Sequence, residues 1–234
     1  MEALKVLFEN PFKYLTKFEW TLWGIGIAGV TLAFVLSGFA GVFSFIASLF
    51  GITSLIFLAK GMPISHVFML IFATMYGINS LQFHYYGELF TYMGMTGPVT
   101  LIALITWLRH PKEDADGGEV EISHMSTKKW VAVLGITLVV TIVFYFILKA
   151  LDTPNLIVST FSVFTSCLAA ILEVVRSSYY ALGYVANDIV LVILWGLASM
   201  EDISYLPMVI NFAMFLFNDS YGFYSWQKRQ KLQE

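Results

Sequence analysis

Apolar residues in this chain continue for about twenty positions at a time and are broken by short polar stretches. Eight such runs stand out, at 20–36, 38–59, 64–84, 88–108, 130–150, 155–174, 178–198 and 203–226. About 20 apolar residues cross the hydrocarbon core of a bilayer as an α-helix. A barrel strand would alternate apolar and polar residues, and the run Leu134-Gly-Ile-Thr-Leu-Val-Val-Thr-Ile-Val-Phe does not. Backbone groups in lipid must satisfy one another, which leaves helices. The pattern predicts an all-α integral membrane protein with eight transmembrane helices.

Composition agrees, with 58% hydrophobic and 12% charged residues against about a quarter charged in an average soluble domain. Charge adds orientation. If the sides of the membrane are numbered alternately, one side takes Lys5, Lys13, Lys17, Lys60, Arg109, Lys112, Lys128, Lys129, Arg176, Lys228, Arg229 and Lys231. The other takes only Lys149. Basic residues stay on the cytoplasmic face during insertion. Both termini are therefore expected in the cytoplasm, with the lipid bilayer as surroundings. The single Cys167 excludes an internal disulfide.

Sliding the chain by 119 residues brings Phe45 onto Phe164, Leu49 onto Leu168, Ile52 onto Ile171 and Tyr76 onto Trp195. It also pairs Tyr86 with Tyr205, Trp107 with Trp226 and Arg109 with Lys228. These matches suggest two three-helix repeats, 38–108 and 155–228, joined through 109–154, a cytoplasmic loop and one linker helix. One linking span gives both repeats the same orientation, a 3+1+3 parallel-repeat core of the kind found in the SWEETs. Residues 1–37 add an N-terminal amphipathic segment, expected on the membrane surface, and an extra helix. Gly24, Gly26 and Gly29 in that helix would permit close packing. Residues 229–234 form a cytoplasmic tail. The acidic, Gly117-Gly118-containing stretch 109–129 reads as a flexible linker.

Polar residues inside spans are costly and mark cavities or polar partners. Two doublets qualify, Asn187-Asp188 and Asn218-Asp219, each roughly 10–15 Å from the cytoplasmic helix end at 1.5 Å rise per residue. Tyr184, Asp188 and Trp195 follow at i, i+4 and i+11, while Asn211, Phe215, Asn218 and Tyr221 form a stripe on the eighth helix. Carboxylates, carboxamides and flat aromatic rings suit a small polar aromatic solute, above all a cation. The alternative is that the doublets only bond helices together. In the first repeat, Tyr76, Asn79 and Gln82 share a helix face, and Thr96-Gly97-Pro98 predicts a kink. The expected site lies in mid-membrane between the two repeats.

Other features carry less. Trp107, Trp130 and Trp226 fall at span ends, where aromatic belts form. His66, His84, His110 and His124 are expected at interfaces or in loops, without neighbours at metal-ligand spacing. There is no Gly-Lys-Ser/Thr phosphate loop, no Gly-x-Ser-x-Gly elbow and no His-Glu-x-x-His helix. The chain is not read as an enzyme, and no cofactor, metal or nucleic-acid partner is expected.

The strings Gly183-Tyr184-Val185-Ala186-Asn187-Asp188-Ile189-Val190-Leu191-Val192-Ile193-Leu194-Trp195 and Phe217-Asn218-Asp219-Ser220-Tyr221-Gly222-Phe223-Tyr224-Ser225-Trp226 resemble the bacterial nicotinamide riboside transporter family, PnuC. The resemblance implies a SWEET-like fold, a homotrimer, and uptake of nicotinamide riboside, a vitamin B3 nucleoside, by facilitated diffusion. Some members carry Trp-x-x-Trp where this chain has Tyr180 and Gly183. Members of the wider family carry thiamine or riboflavin, and these stay open as substrates. So do a cation-coupled carrier using Asp188 or Asp219 and, further off, an intramembrane enzyme. On the resemblance, Trp195 or Tyr221 would stack the ring, Asn187 or Asn218 would pair its amide, and Asp188 or Asp219 would take ribose hydroxyls and balance charge.

Overall fold

A computed structural model describes residues 5–36, 38–39, 42–82, 90–113, 116–153, 155–201 and 206–233. Eight α-helices appear among them: α1 (Lys17–Leu36), α2 (Val42–Ala59), α3 (Ile64–Gln82), α4 (Gly97–Leu108), α5 (Thr127–Ala150), α6 (Leu156–Val174), α7 (Tyr180–Glu201) and α8 (Leu206–Gln233). They follow the eight apolar runs. Five are long and apolar enough on their own to span a bilayer, over Lys17–Val35, Val42–Ala59, Thr127–Ala150, Leu156–Val174 and Tyr180–Leu197. The 28-residue α8 is about 42 Å long at 1.5 Å per residue, but Asn211, Asn218 and Asp219 dilute its apolar character. The protein is an all-α membrane protein.

The chain forms two compact units, Met1–Glu121 and Ile122–Glu234. In the first, α2 packs against α1 and α3, and α3 against α4. The kink expected at Thr96–Pro98 is a π-helical segment, Phe90–Thr96, that gives way to α4 with Pro98 in its first turn. Proline donates no backbone hydrogen bond, so the register changes just before it. Gly26 lets α1 approach α2: a Cβ there would sit 2.8 Å from Ile52 Cγ2. Gly24, expected to do the same, has nothing within 4 Å. A buried ion pair joins Lys60, just after α2, to Glu19 in the first turn of α1 at 3.1 Å. Glu19 also exchanges bonds with Thr16, its carboxylate accepting from the Thr16 N–H and its N–H donating to Oγ1. That is a capping box.

The stretch expected to be a flexible linker is folded over its described part. Lys112 donates to the Glu119 carbonyl (2.8 Å), Glu121 to that of His110 (2.9 Å) and Val120 to that of Gly61 (2.9 Å). These bonds close a small hairpin on the α2–α3 turn and bury Val120. Gly117 and Gly118 both have positive φ, and a Cβ at either would collide with Met62, Tyr14 or Val6. The glycines serve close approach. The N-terminal segment is two 3₁₀ turns, Val6–Phe8 and Pro11–Tyr14. Phe8 is 90% exposed, while Phe12 packs among Trp20, Trp23 and Phe57. Hydrogen bonds from Lys13 and Tyr14 hold the exposed Glu9 carboxyl below the usual carboxylate range.

In the second unit α7 packs against both α6 and α8, and α5 lies against α6. Only Val133 and Thr137 of α5 are buried, and Val131, Val139 and Phe146 are exposed. A helix so apolar and so little covered matches a hydrocarbon environment. Trp107 and Trp226, expected in an aromatic belt, are fully buried instead. Trp107 closes on His66, also buried rather than interfacial, with ring centroids 4.3 Å apart; Trp226 closes on Tyr180 at 4.7 Å. Each ring plugs the end of its unit where two helices meet, a contact that proximity to a span end does not reveal. Trp130 is half-buried and meets Tyr179 edge-on.

Candidate functional site

Three helices of the second unit bring the polar residues together. Asn187, Asp188, Asn218 and Asp219 are all more than nine-tenths buried. Along α7, Asn187 turns toward α6: the Thr165 hydroxyl donates to its Oδ1 at 2.9 Å, and the Ser162 hydroxyl lies at 3.5 Å. Along α8, the Asn218 amide donates to the Met214 carbonyl at 3.0 Å. Asp188 on α7 and Asp219 on α8 lie close enough for their carboxyl groups to interact.

In this cluster Asp188 Oδ2 and Asn218 Oδ1 are buried with no hydrogen-bond partner among the described residues. An unsatisfied buried acceptor costs about 1–3 kcal/mol, so two of them among these residues call for an explanation.

One residue was missed from sequence. Glu173, in the last turn of α6, is buried and accepts a 2.7 Å hydrogen bond from the Tyr184 hydroxyl. Tyr180 and Asp219 lie close enough to interact with it. An acid in the final turn of a span reads as a solvated end, and no spacing shows that a tyrosine on the next helix closes over it. The available signal was the i, i+4 relation of Tyr184 to Asp188, which aims that tyrosine at the same interior.

Of the remaining expected residues, Trp195 on α7 and Asn211 and Tyr221 on α8 are half-buried. Tyr76 belongs to the first unit, where its ring meets Tyr92 at 4.3 Å and Phe72 at 5.7 Å. The side chains of Asn79 and Gln82 lie outside the described ones, as do Tyr86 and Tyr205. Gly183 sets the α6–α7 distance: a Cβ on it would fall 2.9 Å from both Cα and Cβ of Ala169. An apolar groove of about 380 Å³, lined by Thr141, Tyr145, Ile157, Thr160, Phe161 and Phe164, opens on α5 and α6. It offers the carboxyl pair nothing. Among the described residues no group of three or more His, Cys, Asp and Glu could hold a metal ion.

A family model described as nicotinamide mononucleotide transporter matches residues 41–228, which include every element of this site. The chain belongs to that family. It is a family of membrane transporters, not of enzymes. One relative, named nicotinamide riboside transporter PnuC, from Neisseria mucosa, is 28% identical over 222 residues, covering 92% of this chain and 83% of its own length. Another of the same name, from Haemophilus influenzae, is 25% identical over 187 residues, 80% of this chain and 79% of its own. A solved structure described as the crystal structure of the vitamin B3 transporter PnuC matches with a TM-score of 0.81 and 22% identity, over 100% of this chain and 99% of its own. The fold is shared along the whole chain.

Proposed function

We propose that this protein carries nicotinamide riboside across a bacterial cytoplasmic membrane by facilitated diffusion, as a homotrimer of SWEET-like subunits with both termini in the cytoplasm. The observation that carries the substrate is the lack of donors, among the described residues, to the buried acceptors Asp188 Oδ2 and Asn218 Oδ1, next to two interacting carboxyls. Nicotinamide riboside brings what the site lacks: a cationic ring, a carboxamide N–H₂ and ribose hydroxyls. Trp195 and Tyr221 offer faces for the ring. The relatives' printed name supports the same choice.

The site also chooses between the riboside and the mononucleotide of the family description. A phosphate would add negative charge beside Glu173, Asp188 and Asp219, and among the described residues no Lys or Arg acts on either aspartate. Burying a charge against like charges is strongly unfavourable. The test is a binding titration of the purified protein with nicotinamide riboside, nicotinamide mononucleotide, thiamine and riboflavin. The riboside should bind at least about tenfold more tightly than the mononucleotide, a gap of about 1.4 kcal/mol. Equal or tighter binding of the mononucleotide, thiamine or riboflavin would sink this assignment. Facilitated diffusion is tested in vesicles with the membrane potential clamped to zero, where uptake should stop at equal concentrations with or without a proton or sodium gradient.

A further inference from the structure

We propose that Thr165, on α6, is a positioning residue for the substrate. Its hydroxyl holds the oxygen of the Asn187 amide, so that the amide turns its N–H₂ to the substrate and donates to the carboxamide carbonyl of nicotinamide riboside. The proposal rests on the reading of that riboside as the substrate. Its ground is a contact between neighbouring helices. The Thr165 hydroxyl lies 2.9 Å from Asn187 Oδ1, and the Ser162 hydroxyl, one turn earlier on α6, lies 3.5 Å from the same atom. Thr165 and Asn187 are both more than nine-tenths buried, so the protein rather than bulk water orients the amide.

The Thr165 hydroxyl has one proton and three oxygens in reach. The Phe161 and Ser162 carbonyls, at 3.1 and 3.0 Å, belong to α6 and already accept its backbone N–H groups. Asn187 Oδ1 has only the two hydroxyls. A buried acceptor left bare costs more than a helix carbonyl that forgoes a second bond, so the proton goes to the amide oxygen. The amide nitrogen then points the other way, and it donates to no described residue.

That leaves a donor among groups that lack one. The Asn218 amide is spent on the Met214 carbonyl, and the Tyr184 hydroxyl on Glu173. Asp188 Oδ2 and Asn218 Oδ1 are acceptors with no hydrogen-bond partner among the described residues. Ribose hydroxyls and a carboxamide N–H₂ can serve those acceptors, but a carboxamide carbonyl only accepts. Of the four buried Asn and Asp side chains, Asn187 is the one with an uncommitted N–H₂ to meet it. An amide turned over would offer one more acceptor and leave the carbonyl unmet.

Binding titrations of the purified full-length protein with three ligands test this. They are nicotinamide riboside, 3-acetylpyridine riboside, which keeps the carbonyl but lacks the N–H₂, and ribosylpyridinium, which lacks both. The acetyl compound should bind the wild type about three- to tenfold more tightly than ribosylpyridinium, the worth of one hydrogen bond between neutral groups. Thr165→Val removes the hydroxyl and nearly keeps the shape. It should erase that advantage without changing the affinity for ribosylpyridinium, and Thr165→Ser, which keeps a hydroxyl, should preserve the advantage. An equal loss for all three ligands in Thr165→Val would make Thr165 part of the scaffold and overturn the proposal. Should that variant fail to fold, the wild type decides: an acetyl compound that binds no better than ribosylpyridinium means a reversed amide and overturns the proposal. In both cases the riboside still binds and the substrate assignment stands. No riboside binding by the wild type overturns both.

Discussion

The site is written in single side chains whose roles differ in how visible they were. Asn187, Asp188, Asn218 and Asp219 stand out in the sequence because polar residues are expensive inside a span, and all four are buried together. Thr165 and Glu173 are as intimately placed, yet a threonine in an apolar helix and an acid near a helix end are ordinary. Only the packing of α6 on α7 makes them partners of Asn187 and Tyr184. Trp195 tests the aromatic half of the site. It sits two turns along α7 from Asp188, half-buried rather than locked in a core. Trp195→Ala should weaken riboside binding by about 1–2 kcal/mol, the range of a desolvated cation–π contact, with thermal stability unchanged in a melting assay. Unaltered affinity, or a variant that cannot be purified folded, would assign the ring to the scaffold.

At the scale of elements, two glycines show how the same residue serves different purposes. A Cβ on Gly183 meets the backbone of α6 at Ala169, which cannot move without shifting a helix. A Cβ on Gly26 meets a side chain, falling 2.8 Å from Cγ2 of the buried Ile52, whose β-branched χ1 is nearly fixed in a helix. Gly183→Ala should therefore cost about 1–3 kcal/mol as overpacking and displace Asp188 five residues on. Gly26→Ala should cost less than Gly183→Ala, since a side chain yields more readily than a helix backbone and a helix-propensity gain of up to about 1 kcal/mol offsets part of the overpacking. Thermal melts of both variants, with riboside titrations alongside, make the comparison. Equal effects would mean that the α6–α7 spacing is set elsewhere.

For the whole molecule, the segregation of basic residues predicts a single sidedness. Glu113→Cys in the loop and Leu232→Cys near the C-terminus, both at exposed positions, should label from the cytoplasmic side and not from outside. The native Cys167 is buried and contributes little background. Labelling of the two positions from opposite faces would break the eight-span topology. Gly117, which composition suggests for such a probe, is unsuitable, because Met62 and Tyr14 occupy the space a side chain needs.

Eight apolar runs sufficed to place eight helices, since in lipid a span must be apolar, helical and about twenty residues long. Pro98 foretold a break before α4, because a missing N–H acts locally. What tertiary structure decided is which side chains meet across helices. It turned Lys60, one basic residue among twelve on its side, into the buried partner of Glu19. It drew Trp107 and Trp226 inward and closed an acidic loop onto the α2–α3 turn. It brought Asp188 and Asp219 close enough to interact and left Asp188 Oδ2 without a donor among the described residues. Periodicity and hydropathy are properties of one segment at a time, whereas a hydrogen bond, an ion pair or an orphaned acceptor depends on the neighbour that packing supplies.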